Sequence, residues 1–388
     1  MTLANRLAVC LRRPGSAVLR AGPALVLCVF LAACGPLSRE AAWLLDDIAA
    51  GAGPSRLKDE TPAPVPSAVR LAAGGIALDA DLYLSPAGAR AALVLVPGLA
   101  RAGRADARLV ALAQSLARVR FAVLVPEITG LSDLQVAPAQ AGEIAAAAAW
   151  LAGRGDLARG RPVGVVAISY AAGPALIAAA SPAGRADIGF VVTVGGYYDI
   201  ESAVTYVTTG AYYASGRWRH GTPNAYGKWV FVNSNAHRLA DSRERAALAA
   251  IAERKLDDPE SPIDDLAEAL GSDGRAVLTL VTNDHRRRVA ELIAALPEAI
   301  RADLAALDPA ARPLEDMRAR LILIHGRDDT IIPYSESVDL ARRLGSARAS
   351  LYLLDGLWHV DAAFSLGDRL TLWRAAVELL ELRDGAER

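Results

Sequence analysis

Ser169 stands in the segment Val163-Gly-Val-Val-Ala-Ile-Ser-Tyr-Ala-Ala-Gly173, directly after an apolar run and directly before an alanine-rich stretch of helical character. A serine in such a strand-to-helix turn can be lifted clear of both elements, provided that the residues two positions to either side are small enough for the backbones to approach. Ala167 and Ala171 meet that condition, and Gly173 keeps the helix close to the strand. The plainer role for the same serine is a helix N-cap. A hydroxyl attacks only when a base removes its proton and a further group orients that base. Five histidines are available, His220, His237, His285, His325 and His359. His359, in Leu354-Asp-Gly-Leu-Trp-His-Val360, falls in a loop between the last apolar strand and the final helix, from which it can swing over the end of a sheet. His325 closes a strand and precedes Gly326, which suits a packed, hydrogen-bonded residue better than a base. The other three fall in a segment remote from the strand ends. Carboxylates in comparable post-strand loops are Asp328, Asp329 and Asp199.

The elements that must position these groups are legible as patterns. From about residue 67 onward, short apolar runs alternate with longer stretches of helical period, which predicts parallel strands joined by crossover helices. Val69 to Ala72 and Ile76 to Leu84 read as an antiparallel leading pair. Ala92 to Val96, Phe121 to Val125, Val163 to Ile168 and Phe190 to Val194 read as strands buried on both faces. Strand character returns at Leu321 to Ile324 and Ser350 to Leu354, and a closing helix is expected from about Asp361 to Leu382. Between residues 195 and 313 the strand signal gives way to aromatic-rich loops and then to helical stretches at Arg243 to Leu256, Asp264 to Leu270 and Arg287 to Leu307. A block of that length is too long for a loop; it predicts a helical cap. Tyr197, Tyr198, Tyr206, Tyr212, Tyr213, Trp218, Tyr226 and Trp229 cluster at its start, where they either line an apolar pocket or fasten the cap to the sheet. Tyr197 and Tyr198 are the candidates for the pocket.

The order Ser169, Asp329, His359, each residue on a loop after a strand, resembles the α/β-hydrolase superfamily over roughly residues 70 to 384, the cap excepted. The resemblance implies an α/β-hydrolase fold: a mostly parallel central sheet with flanking helices and a cap inserted after the sixth strand. It also separates the two adjacent acids, because His325-Gly-Arg-Asp-Asp-Thr-Ile-Ile-Pro333 resembles the family's acid loop, in which the aspartate stands four residues before the proline. That residue is Asp329, leaving Asp328 to the turn. Pro97-Gly98-Leu99-Ala100 resembles the family's His-Gly-X loop with proline in place of histidine. The resemblance makes the backbone N–H groups of Leu99 and Tyr170 the oxyanion hole, each donor worth about 3 kcal/mol.

The N-terminus is a separate matter. Arg6, Arg12, Arg13 and Arg20 precede the apolar run from Ala24 to Ala33, in the manner of an export signal. The run is too short for the roughly 20 residues that a membrane span needs. Leu31-Ala-Ala-Cys34-Gly35 resembles a bacterial lipobox, which implies that Cys34 is the lipid-modified first residue of an exported lipoprotein; an ordinary signal peptide is the alternative. The expected organisation is therefore a signal peptide over 1–33, a mature segment and proline-rich linker over 34–67, a hydrolase core over 68–194 and 314–388, and a cap over 195–313.

Composition narrows the remaining classes. A hydrophobic content of 53% excludes a disordered chain, and a net charge of -1 without basic stripes argues against nucleic-acid partners. Cys10, Cys28 and Cys34 are the only cysteines, so the globular part holds neither a disulfide framework nor a thiolate metal site. No phosphate loop, HExxH pair or EF-hand loop occurs, so no cofactor or metal is expected. The expectation is an ester hydrolase acting on a small acyl substrate at the cell envelope. A peptidase or thioesterase with the same three residues, or a non-catalytic lipoprotein that keeps the fold for binding, are the alternatives.

Overall fold

Continuous apolar runs form the strands of an eight-stranded sheet in a computed structural model, which describes residues 35–358, 361–362 and 365–385. The strands are β1 (Val65–Ala73), β2 (Ile76–Leu84), β3 (Ala91–Val96), β4 (Phe121–Pro126), β5 (Val163–Ile168), β6 (Ile188–Val194) and, after the cap, two more introduced below. Every residue of β3 and β4 is buried, because helices cover both faces. β1 and β2 close around Gly74 and Gly75, whose φ of +58° and +81° suit a two-residue hairpin turn of the mirror-image type.

Helices α1 (Pro36–Ala50), α2 (Arg56–Glu60), α3 (Ala107–Arg118), α4 (Ala139–Ala152) and α5 (Ala172–Ala180) flank the sheet. α4 and α5 pack one face, around Ile144, Leu151, Val165 and Leu176. α1 and α3 cover the other, around Leu44, Leu93, Leu116 and Phe121. Within the mature segment and proline-rich linker expected over residues 34–67, α1 and α2 pack on the core and β1 begins at Val65, so that Pro66 lies in a strand. Leu44 and Leu57 are buried against the sheet. The buried Asp47 carboxylate accepts from Ser55, from Lys58 at 2.5 Å and from Ser115 of α3 at 2.6 Å. Pro66 is tolerated in β1 because that strand is the sheet edge and a missing N–H on its outer side breaks no ladder.

The cap comprises α6 (Ile200–Thr209), the hairpin β7 (Ala211–Ala214) and β8 (Arg217–His220), then α7 (Tyr226–Ala236), α8 (Ser242–Asp257), α9 (Ser272–Thr282), α10 (Val289–Ala294) and α11 (Glu298–Ala306). It carries its own core, with Val232, Leu248, Ile251, Val277 and Ile300 buried together. The expected aromatic loops are thus two helices and a hairpin. The single helix expected over 287–307 is broken before Pro297, whose ring cannot continue it. The chain then completes the sheet with β9 (Arg320–Gly326), α12 (Ser335–Leu344), β10 (Ala349–Leu354), the small pair β11 (Leu357–Trp358) and β12 (Asp361–Ala362), and α13 (Leu366–Asp384). α13 opens with a capping box between Ser365 and Asp368 and lies across α1.

The main sheet runs β1-β2-β4-β3-β5-β6-β9-β10, and β2 alone opposes its neighbours. Among the described residues no helix is long and apolar enough to cross a membrane.

Candidate active site

β5 ends at Ile168, and residues 169–171 form a single tight turn leading into α5. Ser169 has φ +56°, in the left-handed region, a conformation that costs a non-glycine residue about 1–3 kcal/mol and persists only where its surroundings impose it. The surroundings are tight. Ala167 and Ala171 are 0% and 1% exposed. A methyl added at Gly173 would lie 2.1 Å from the Tyr197 ring, and one at Gly196 would lie 2.2 Å from Ala172 Cβ. The small residues noted in the sequence are therefore what lets α5 start so close to the sheet.

The loop after β3 presses on the same serine. A Cβ at Gly98 would stand 3.1 Å from Ser169 Cβ and 3.3 Å from the Ile168 carbonyl oxygen. Arg104 anchors this loop to the sheet through Asp81 at 2.6 Å and Glu127 at 3.0 Å. On the other side, the Tyr170 hydroxyl donates to Gln140 Oε1 at 2.9 Å, and its ring stacks on Tyr197 at 5.8 Å between centroids. Tyr197 in turn donates to the Leu307 carbonyl at 2.9 Å, and burial pushes both phenols above their ordinary pKa. With its side chain held in this way, the Tyr170 backbone at the start of α5 has a fixed direction.

Asp329 follows β9 and is buried, whereas Asp328 beside it is exposed. One oxygen of the Asp329 carboxylate accepts the N–H groups of Ile331 and Ile332 at 2.8 and 2.9 Å. The other lies 3.5 Å from His325 Nε2. His325 is a structural residue: Nε2 donates to the Ile332 carbonyl at 3.0 Å and Nδ1 meets the Ser337 hydroxyl at 2.8 Å, so both nitrogens are engaged in turning the loop. Asp199, the other acid considered, caps α6 by accepting from the Ser202 N–H at 2.9 Å.

His359 and Cys34 both lie outside the described residues. The strands flanking His359 are described: Trp358 pairs with Asp361 and Leu357 with Ala362. A Cβ at Gly326 would fall 1.7 Å from the Leu357 carbonyl oxygen, so this segment lies against the end of β9, three residues before Asp329.

Gly98, Leu99, Ser169, Tyr170 and Tyr197 share the wall of one cavity of about 1880 Å³ with Thr330, Ile331 and Ile332. Tyr198 is not on that wall. Its hydroxyl accepts from Arg343 at 3.0 Å and its ring lies beneath the same guanidinium, so of the two tyrosines expected to line a pocket only Tyr197 does.

Sequence reasoning missed Glu336. It is buried at the start of α12 and accepts the N–H groups of Tyr198 and Asp199 at 3.0 and 2.8 Å and the Ser202 hydroxyl at 2.6 Å. It thus ties the chain after the acid loop to the entry of the cap. Burial pushes its carboxyl up to about 7. Its nearest sequence signal, a lone glutamate near a helix start, is too common to single out.

The strand order with a reversed second strand, together with a strained serine at the turn between the fifth strand and its helix, defines the α/β-hydrolase fold. No protein-family model matches the chain, and no curated protein matches it. Among solved structures the chain is similar to the acylaminoacyl peptidase of Pyrococcus horikoshii, at 12% identity and a TM-score of 0.47, over 84% of this chain and 42% of that one. It is similar to a puromycin-hydrolyzing peptidase of Mycobacterium tuberculosis, at 15% identity and a TM-score of 0.48, over 84% of this chain and 40% of that one. It is also similar to 2-hydroxy-6-oxo-6-phenylhexa-2,4-dienoate hydrolase of a Rhodococcus species, at 16% identity and a TM-score of 0.43, over 83% of this chain and all of that one. The chain thus spans about two fifths of the length of the two peptidases.

Proposed function

We propose that this chain is a serine hydrolase of carboxylic esters, with Ser169 as nucleophile, His359 as base and Asp329 as the group that orients it. The observation that carries the proposal is the left-handed backbone of Ser169 with the Gly98 loop pressed against its side chain. A serine serving only as a helix cap has no need of that strain, which accords with a hydroxyl presented to a substrate. The burial of Asp329, next to the strand pair that flanks His359, supports the acid assignment over Asp328.

In the reaction, His359 takes the Ser169 proton as Oγ bonds to the acyl carbon, and the carbonyl oxygen becomes an oxyanion facing the N–H groups of Leu99 and Tyr170. The C–O bond to the alcohol then breaks, and His359 returns the proton to the departing oxygen. Water, deprotonated by the same histidine, attacks the acyl-serine and releases the acid with Ser169 restored. The mostly apolar cavity wall, on which the charged residues among those described are Asp46, Asp106, Arg108 and Arg369, suits an ester better than a charged peptide terminus. Cys34 as a lipid attachment point would hold this activity at the periplasmic face of a membrane.

A fluorophosphonate probe tests the reading. The mature chain is expected to label at Ser169 and Ser169→Ala not at all; absence of labelling, or equal labelling of the variant, overturns it. Cys34→Ala is expected to release the protein from membranes, and continued attachment refutes the anchor.

A further inference from the structure

The cavity at Ser169 extends well beyond what a short ester needs. Its volume of about 1880 Å³ exceeds the range of about 300–1,000 Å³ in which drug-sized ligands are usually held. It has two lobes. One lies beneath the cap, walled by Val204, Val207, Val230 and Phe231. The other enters the core between the sheet and the three helices on the α1 side, where Leu45 of α1, Leu109 and Leu112 of α3, and Leu372 and Leu379 of α13 line it.

Residues of the sheet form the floor of this side of the cavity. Ile168, Val194 and Ile324 are neighbours in register across β5, β6 and β9, at the centre of an eight-stranded sheet. Val166, Val192 and Ile322, one row further in, are 5%, 4% and 1% exposed and line the same cavity. The outer row is only partly buried and lines the cavity. Among the described residues the helices on this face therefore leave an apolar slot opening beside Ser169. Along α13 the lining runs from Arg369 to Leu379. Ten residues of helix make about 15 Å, the length of an extended chain of about twelve carbons.

We infer that this slot is an acyl-chain site, and that the substrate is an ester of a long, unbranched aliphatic acid. The inference rests on the hydrolase reading and narrows its substrate. Between the two lobes, the assignment follows from the order of events. The alcohol departs midway through the cycle while the acyl group stays on Ser169. A slot that reaches inward to the buried Leu44, Leu116, Val166 and Ile322 suits the part that stays, and the lobe beneath the cap suits the part that leaves. Each methylene buried there leaves water for an apolar wall, so discrimination between short and long chains should be large.

The test has a binding arm and a kinetic arm. 11-(Dansylamino)undecanoic acid is titrated into Ser169→Ala, alone and combined with Leu372→Trp on α13 or Leu112→Trp on α3, both of which line the slot. Saturable binding in the micromolar range, weakened at least tenfold by either tryptophan, is expected. In the Ser169 enzyme, the ratio of kcat/KM for p-nitrophenyl laurate to that for the butyrate is expected to exceed ten and to fall at least tenfold in each tryptophan variant. That ratio is independent of any misfolded fraction. Hydrolysis of acetate and butyrate esters with no fatty-acid binding, and a ratio the variants leave unmoved, overturns the slot and leaves the hydrolase standing. Fatty-acid binding with the expected tryptophan effect, but no fluorophosphonate labelling of Ser169, supports the slot and overturns the hydrolase.

Discussion

Gly98→Ala puts the proposed oxyanion hole to its most direct test. The φ of Gly98 is outside the left-handed region, so alanine suits its backbone. The obstacle is local: the new methyl would lie 3.1 Å from Ser169 Cβ, 3.3 Å from the Ile168 carbonyl oxygen and 3.7 Å from Ser169 Oγ. Carbon atoms rest comfortably at about 3.5–4.0 Å, so the loop has to retreat by about 0.5 Å. The retreat carries the adjoining Leu99 N–H away from where the oxyanion forms. A donor moved from about 2.9 Å to about 3.4 Å sits beyond the normal range of N–H···O distances, and loss of a whole donor costs about 3 kcal/mol in the barrier. Part of that loss corresponds to a fall in kcat of about 10- to 100-fold, with KM altered less than about threefold because the donor acts mainly in the transition state. The assay is steady-state hydrolysis of a p-nitrophenyl ester, with kcat expressed per site labelled by fluorophosphonate, which removes any effect of misfolding. Wild-type kcat per labelled site would refute the assignment of this loop.

Three further outcomes are expected. Asp329→Asn keeps an oxygen for the Ile331 and Ile332 N–H groups and should fold, yet lose about four orders of magnitude in kcat; activity within tenfold of wild type would remove Asp329 from the mechanism. Glu336 is raised to about 7 from 4.5, so the folded chain holds its proton more tightly than the unfolded one, and its contribution to stability, complete below about pH 4.5, is lost as pH rises toward 7. Glu336→Gln should therefore gain on wild type by an amount on the order of 3 kcal/mol between pH 4.5 and pH 8 in urea unfolding, and a difference independent of pH would contradict this. Arg383 is fully buried, with ion pairs to Glu40 at 2.5 Å and to Asp384 at 2.7 Å and a bond to the Val119 carbonyl at 2.8 Å. Arg383→Met should cost about 2–3 kcal/mol, below the range for fully buried pairs because both acids keep some solvent contact; an unchanged urea midpoint would contradict that.

The central strands were legible because a strand covered on both faces must be a continuous apolar run, and Ser169 because a tight turn demands small neighbours. The choice between Asp328 and Asp329 came from a resemblance; burial separates them, and burial is a property of the folded chain. What stayed hidden was pairing across distance. Residues 36–50 read only as part of a mature segment, because their partners on the sheet and on α13 are remote in sequence, and Pro66 reads as linker until the strand bearing it is known to be an edge. Helix α7 is rich in aromatic and β-branched residues, whose weak helix propensity is overridden by packing in the cap core. Gln140 and Glu336 act on partners 30 and 137 residues away, at Tyr170 and Asp199.

The clasp between α1 and α13 has a consequence for how the molecule is made. Trp373 donates to the Ser38 carbonyl across 335 residues, and Arg383 pairs with Glu40 across 343. Helix α1 therefore cannot complete its packing until α13 has been synthesised, and contacts of such span form late and slowly. During that interval α1 has only its contacts with earlier elements, such as the bond from Ser115 of α3 to Asp47. The face of α1 that α13 finally covers thus stays open throughout synthesis, and the earliest described helix is sealed only by the last.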